Sequence, residues 1–251
     1  RPVREKTPEV LDQQAKCLFE NSGYDEISLT SLSISDYTHL EELTDLLLEW
    51  TDENMINLSL PSLRVDSFTK ELMDKIATVR SSSLTFAPEA GTQRLRDVIN
   101  KNLSEEEILT TCANAFSGGW NNVKLYFMNG LPTETDEDIE GIAKLAKATI
   151  EQFYATPGHS RRAPGVTVSV SCFIPKPFTA FQWEKQDALE VTHEKQQYLK
   201  NVITDRKVRY NYHDAQVGRI EGVFARGDRK LCSALLEAHR RGIRFDAWEE
   251  F

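Results

Sequence analysis

The residues best placed to do chemistry in this chain fall where short alternations of apolar and polar residues end. After the alternation through Phe86 come Ala87, Pro88, Glu89, Ala90, Gly91 and Thr92, a carboxylate followed by a glycine and a helix start. A carboxylate there can accept from a ligand's hydroxyl or ammonium group, while Gly91 and the open amide end of a helix can receive a carboxylate. A helix-terminus carboxylate without a ligand fits Glu89 as well. A second segment, Met128 to Thr135, offers Asn129 and Gly130, either ligand contacts or a tight turn, and Thr135 with Asp138 reads as a capping box. A third, Phe173, Ile174, Pro175, Lys176 and Pro177, either borders a site or simply ends a strand.

Further candidates come from position alone. Ser31, Ser33, Ser35 and Asp36 follow one alternation, and Arg64 follows another. Strand parity or position directs Arg64, Lys124 and Tyr126 toward a cavity or its mouth, where a cation can hold a substrate carboxylate or phosphate. The competing reading pairs Lys124 with an interior acid such as Glu89. His213 and Asp214 end the strand-like run Val208 to Tyr212, and His193 lies within a helix; neither histidine stands out as an acid or base. Cys17, Cys112, Cys172 and Cys232 are too dispersed for a metal spacing or a disulfide framework, which suits a reducing cytoplasm. Cys112 and Cys172 both read as buried structural thiols.

These residues need strands and helices to position them. Five segments alternate with period two, which puts Ser28 and Thr30, Asn57 and Ser59, Ser83 and Thr85, Lys124 and Tyr126, and Thr167, Ser169 and Ser171 on one face, with Ile, Leu, Val and Phe on the other. Helical segments between them make the connections crossovers, so the strands are expected to be parallel. An open parallel sheet is apolar on both faces, whereas a closing barrel has helices outside and can have a polar, liganded interior. The expected fold is therefore α/β, a partial TIM-like (β/α)6 barrel of parallel strands with a short C-terminal extension, and its chemistry sits at the carboxyl ends of the strands. The division is a core over 1–205 and a strand-and-helix extension over 206–251.

The helices carry their own marks. Thr7 before Pro8 opens the first, which runs to Gly23. Leu40, Leu43, Leu47 and Trp50 form one apolar stripe, Leu72, Ile76 and Val79 another, and Ile139, Ile142, Ala143, Ala146 and Ile150 a further one. Ser104 with Glu107 is a capping box for a helix that stops near Gly118 and Gly119. Val191, Tyr198 and Val202 are expected to face the core. Asp228 is expected to cap a last helix through Leu231, Leu235 and Ala238, and Phe245, Trp248 and Phe251 are expected to cover an open side of the barrel, in preference to contacting a further domain.

Composition is that of an ordinary globular protein: 251 residues, 40% apolar and 27% charged, with a net charge of −9 that argues against broad nucleic-acid binding. No apolar run is long enough to span a membrane.

The order of FAPEAGTQRLRDVINK at Phe86 to Lys101, NGLPTET at Asn129 to Thr135 and FIPKPFTAFQW at Phe173 to Trp183 resembles the radical S-adenosylmethionine (radical SAM) superfamily, together with RPVRE at Arg1 to Glu5 and SLTSLSISDY at Ser28 to Tyr37. The resemblance reaches from Arg1 to about Arg229 and points to uncharacterised members of that superfamily. It implies S-adenosylmethionine over a 4Fe-4S cluster, electron transfer to the sulfonium, and a 5′-deoxyadenosyl radical that abstracts hydrogen from a substrate. It implies that Ser31, Ser33 and Ser35 approach the methionine amino group. Glu89, Gly91 and Thr92 would hold ribose or methionine groups, with Asn129 and Gly130 near the adenosine and Phe173 and Ile174 beside the adenine. An electron donor such as flavodoxin or ferredoxin is implied as a partner. The family's CxxxCxxC loop is absent, so this chain has no metal ligands of its own; the loop is expected upstream of Arg1, and the chain alone is expected to be inactive. Additional domains, a cobalamin domain among them, are compatible with this. Two other classes remain open: a phosphate-binding (β/α) barrel enzyme, and a non-catalytic ligand- or RNA-binding module.

Overall fold

A computed structural model of the chain describes residues 4–31, 34–51, 53–59 and 84–243. Ser33, Arg64, the Leu72 to Val79 stripe and the aromatics Phe245, Trp248 and Phe251 lie outside the described residues, as does the side chain of Ser35. The chain forms two compact units that alternate along the sequence: 1–88, 103–125 and 146–167 make the first, and 89–102, 126–145 and 168–251 the second.

In the first unit, helix α1 (Pro8–Ser22) begins at a proline behind Thr7 and ends at Gly23, whose φ of 73° stops the helix in the left-handed region. Strands β1 (Glu26–Ser28) and β2 (Asn57–Ser59) pair in parallel, Ile27 opposite Leu58, on either side of α2 (Leu40–Thr51). Ala15, Ile27, Leu43, Leu47, Ile56 and Leu58 form their common core. Trp50 stands at its edge and donates its indole N–H to Asp12 at 2.8 Å.

Strands β3 (Leu84–Glu89), β4 (Asn122–Asn129), β5 (Gly165–Cys172) and β6 (Val208–Tyr212) form a sheet in that order. Helices join each consecutive pair, which makes the strands parallel. They are α3 (Gln93–Val98) and α4 (Glu105–Ser117), then α5 (Asp136–Ala155), then α6 (Leu189–Val202). The expected alternation is realised: Val123, Leu125 and Phe127 are buried while Lys124 and Tyr126 are not, and Val166, Val168 and Val170 are buried against Thr167, Ser169 and Ser171. The Ser104 capping box forms in full, the hydroxyl accepting from the Glu107 N–H at 3.1 Å and the Glu107 carboxylate from the Ser104 N–H at 2.7 Å. Among the described residues, no helix is long and apolar enough to cross a membrane.

Two expectations are corrected in the second unit. Val191, Tyr198 and Val202 are exposed on α6, whose buried face is instead Thr192, Gln196 and Leu199. Asp228 does not cap the last helix, α8 (Leu231–Arg240), directly; it accepts the Lys230 N–H at 2.8 Å one turn earlier. Helix α7 (Ala215–Arg226) carries Gly218 and Gly222 within its length. They serve close packing: a Cβ at Gly218 would lie 3.2 Å from the Cys172 Cβ, and one at Gly222 would overlap the Gln186 side chain. Asp214 caps α7 by accepting from the Gln216 and Val217 N–H groups at 2.8 and 3.1 Å.

A close backbone-to-backbone approach in this unit lies between Gly91 and α5. A Cβ on Gly91 would overlap the Asp138 carbonyl oxygen and the Ile142 nitrogen, both backbone atoms that cannot rotate away. Gly91→Ala is therefore expected to cost about 1–3 kcal/mol of stability, measured by urea denaturation; a loss below a few tenths of a kcal/mol would contradict this packing.

Candidate functional site

The loop that follows β3 is fixed from several sides. The Thr92 side chain caps α3 by accepting from the Leu95 N–H at 3.3 Å and donates to Asp138, which also receives Arg94 and, at 2.8 Å each, the N–H and hydroxyl of Thr135. Burial works to raise the Asp138 carboxyl, and these hydrogen bonds outweigh it and hold the group below the usual aspartate range. Arg96, fully buried, donates to the Ala90 carbonyl at 3.1 Å. Between these anchors Glu89 takes a φ of 68°, a left-handed conformation that costs a non-glycine residue roughly 1–2 kcal/mol.

Glu89 lines a cavity of about 820 Å³ formed wholly within the second unit. Its walls come from the carboxyl-terminal parts of the strands: Tyr126 and Met128 of β4, Ser169 to Cys172 of β5 with Phe173 and Ile174 beyond it, and Tyr212 with His213 at the end of β6. Phe173 meets Phe181 edge-on, ring centroids 6.2 Å apart, and packs with Ala90, Leu95 and Leu131. Burial pushes the Glu89 carboxyl up, and the Lys101 ammonium, 3.5 Å away, opposes that only in part. At the opposite end of the lining Lys176 lies 3.5 Å from Glu221.

Behind the turn at Gly130 lies a partly buried ionic cluster. Lys195 of α6 reaches both Glu134 and Asp187 at 2.6 Å, and Glu134 accepts the Gly130 N–H at 2.9 Å. Burial raises the Glu134 carboxyl against the pull of Lys195; burial lowers the Lys195 ammonium, and its two acceptors more than restore it. Gly130 has a φ of 80°, and a Cβ there would stand 2.9 Å from the Asp187 carboxylate. Gln196, on the same helix face as Lys195, donates to the His213 carbonyl at 2.8 Å. The polar face of α6 is thus buried because its partners are buried.

The structure brings some of the sequence candidates together and leaves others apart. Glu89, Tyr126, Phe173 and Ile174 line the cavity. Gly91 and Thr92 are spent on α5 and on the α3 cap, and Gly130 on the ionic cluster. Asn129 shares the buried strand face of Leu125 and Phe127, opposite Tyr126 and Met128; its carbonyl accepts the Phe173 N–H at 2.8 Å, and its side-chain nitrogen has no partner among the described residues. Ser31 and Lys124 belong to the first unit, and the cation beside Glu89 is Lys101. Lys101, Glu134, Asp187, Lys195 and Glu221 went unassigned, since no local pattern links Glu134 to a lysine on a helix two elements later. Cys112 is buried as expected, its thiol pushed up to about 12 by burial. Cys172 is corrected: it is half-buried on the cavity wall, and burial followed by the nearby acids Asp214, Asp187 and Glu221 pushes its thiol up to about 11.

The described cysteines do not converge. Cys17 and Cys232 are exposed, Cys112 lies in the first unit, and among the described residues no three His, Cys, Asp or Glu side chains are grouped to hold a metal. These four thiols do not fit a 4Fe-4S cluster, whose ligands would be other cysteines.

Comparison with known proteins adds three findings. Residues 1–146 match the family model described as the Radical SAM superfamily. An uncharacterised protein of Methanocaldococcus jannaschii is 33% identical over 210 residues, which are 84% of this chain and 43% of that protein, so the chain spans less than half the relative's length. The structure of the archaeal Methanocaldococcus infernus Elp3 with an N-terminal deletion aligns over 94% of this chain and 60% of its own, with a TM-score of 0.54 and 14% identity. That likeness carries the fold, an α/β arrangement of parallel strands with a partial TIM-like character.

Two outcomes follow from the buried charges. Removing Lys195 as Lys195→Ala leaves Glu134 buried and unpaired and is expected to destabilise the chain by about 3–5 kcal/mol, measured by chemical denaturation. Glu89, its carboxyl raised by burial, binds its proton more tightly folded than unfolded, so its contribution is full below the ordinary glutamate range and is lost as pH rises through the folded value. Glu89→Gln is therefore expected to gain in melting temperature relative to the parent chain as pH is raised from about 4 toward neutrality; a constant difference would contradict the burial of this carboxyl.

Proposed function

The chain belongs to the radical SAM superfamily, and from that membership we propose that it is the part of a radical SAM enzyme that holds S-adenosylmethionine, in the cavity of the second unit. The observation that carries this reading is Glu89, a desolvated carboxylate held at positive φ on the wall of an 820 Å³ cavity with Lys101 beside it. The volume is in the range of ligand sites, and the lining combines apolar side chains with charged and hydroxyl-bearing ones. Phe173, Ile174 and Met128 offer the apolar surface an adenine needs, Ser169 and Ser171 offer hydroxyls, Glu89 accepts an ammonium and Lys101 a carboxylate.

When bound, S-adenosylmethionine would supply a sulfonium whose one-electron reduction releases a 5′-deoxyadenosyl radical able to take hydrogen from a substrate. The cluster and donor for that electron, a flavodoxin or ferredoxin in this reading, lie outside these residues. What the chain itself does is bind and orient. Gly91, Thr92, Asn129 and Gly130 act by shaping the loops that carry Glu89, Phe173 and Ile174. The lysines and glutamates in the lining balance each other, which favours this reading over a dedicated phosphate barrel. The free thiols at exposed Cys17 and Cys232 accord with a cytoplasmic setting.

Isothermal titration of the chain with S-adenosylmethionine tests the proposal. Binding is expected, with Glu89→Ala weakening it about tenfold, or about 1.4 kcal/mol. Because deprotonation restores the charge on Glu89, affinity is expected to rise with pH from the ordinary glutamate range toward neutrality. No binding, or binding indifferent to Glu89, would overturn the reading.

A further inference from the structure

The cavity is charged in two places. Glu89 with Lys101 stands at the β3 end, and Lys176 with Glu221 stands where the β5–α6 loop meets α7, beside Tyr212 of β6. Glu89 ends β3, whereas Lys176 follows β5 and Glu221 lies on the helix after β6, so the two pairs are carried by different strand ends in the order β3-β4-β5-β6. The single amino-acid head group of one S-adenosylmethionine can satisfy one pair and not both.

The second pair is suited to exchange. Lys176 and Glu221 are 57% and 46% exposed at 3.5 Å, a contact that water weakens and that gives up little when a ligand replaces it. Its setting is nevertheless firm. Gly218 lets α7 lie against Cys172, and Gln186 donates to the Gly218 carbonyl at 2.8 Å, which holds the helix that presents Glu221 to the cavity. Across from it, Thr179 donates to the Lys176 carbonyl at 2.6 Å and fixes the loop that presents the lysine.

The charges select the ligand class. A phosphate or simple carboxylate on Lys176 would face Glu221, and a simple amine on Glu221 would face Lys176; a ligand carrying both an ammonium and a carboxylate neutralises the two at once. Tyr212 and Phe181 supply apolar surface for what such a head group carries. We propose that the β6 side of the cavity is a subsite for an α-amino acid, its carboxylate on Lys176 and its ammonium on Glu221, bound alongside the S-adenosylmethionine of the preceding reading, on which the assignment of the first pair rests.

The test is titration of the chain with each of the twenty L-amino acids, with and without saturating S-adenosylmethionine, and with inorganic phosphate as a comparison. At least one amino acid is expected to bind one-to-one in the presence of S-adenosylmethionine. Lys176→Ala and Glu221→Gln, both at exposed positions, should each weaken it about tenfold or more, the charge-swapped double variant Lys176→Glu with Glu221→Lys should recover part of the loss, and S-adenosylmethionine affinity should change less than about twofold. The proposal is overturned if no amino acid binds, if S-adenosylmethionine competes it away, if neither variant matters, or if inorganic phosphate binds more tightly and gains from Glu221→Gln. Amino-acid binding that depends on Lys176 and Glu221 while S-adenosylmethionine fails to bind would sink the functional reading and leave the subsite standing.

Discussion

The second unit depends on one buried carboxylate. Asp138, on the first turn of α5, takes the Thr92 hydroxyl, the Arg94 guanidinium and both donors of Thr135, and so ties the β3–α3 loop to the next helix. Hydrogen bonds to a charged acceptor are stronger than neutral ones, and several on one buried group fix its surroundings cooperatively. The backbone can come this close only because Gly91 and Gly141 face each other without side chains. Glu89 sits two residues before that contact. Its left-handed backbone would relax if the loop were loose, and strain of this kind persists only where the structure around it over-determines the conformation.

Charge inside this unit is arranged in matched sets. Lys195 bridges Glu134 and Asp187 behind the Gly130 turn, Lys101 stands by Glu89, and Lys176 by Glu221. The first set is the least exposed, and there Lys195 offsets the desolvation of both carboxylates at short range while the Gly130 N–H adds to Glu134. The sets that line the cavity are longer and more exposed. Buried ions hold the frame, while looser ones stand where a ligand can replace a partner.

Much of the fold was legible in the sequence. Alternation marked the strands because period two is a direct consequence of the pleat, and the capping box at Ser104 and the stop at Gly23 are local geometry that a few residues specify. The order of strands and helices followed, and with it the end of the sheet where a site would lie. Glu89, Tyr126, Phe173 and Ile174, which line the cavity, were legible as candidates because each sits at a strand end or on its polar face. Glycine in a helix ordinarily weakens it, and only contact with Cys172 and Gln186 explains Gly218 and Gly222 in α7.

What the sequence by itself determined is therefore what short-range geometry controls: which segments are strands, which are helices, and which residues sit at their ends. Which of those residues meet was decided only in three dimensions. Lys101 reaches Glu89 across 12 residues, Lys195 reaches Glu134 across 61, and Lys176 reaches Glu221 across 45. No periodicity spans such separations. Val191, Tyr198 and Val202 formed a plausible apolar stripe, yet α6 buries Thr192 and Gln196, because the energy of pairing Lys195 with two carboxylates and Gln196 with the His213 carbonyl belongs to the packed structure and has no counterpart in the helix alone.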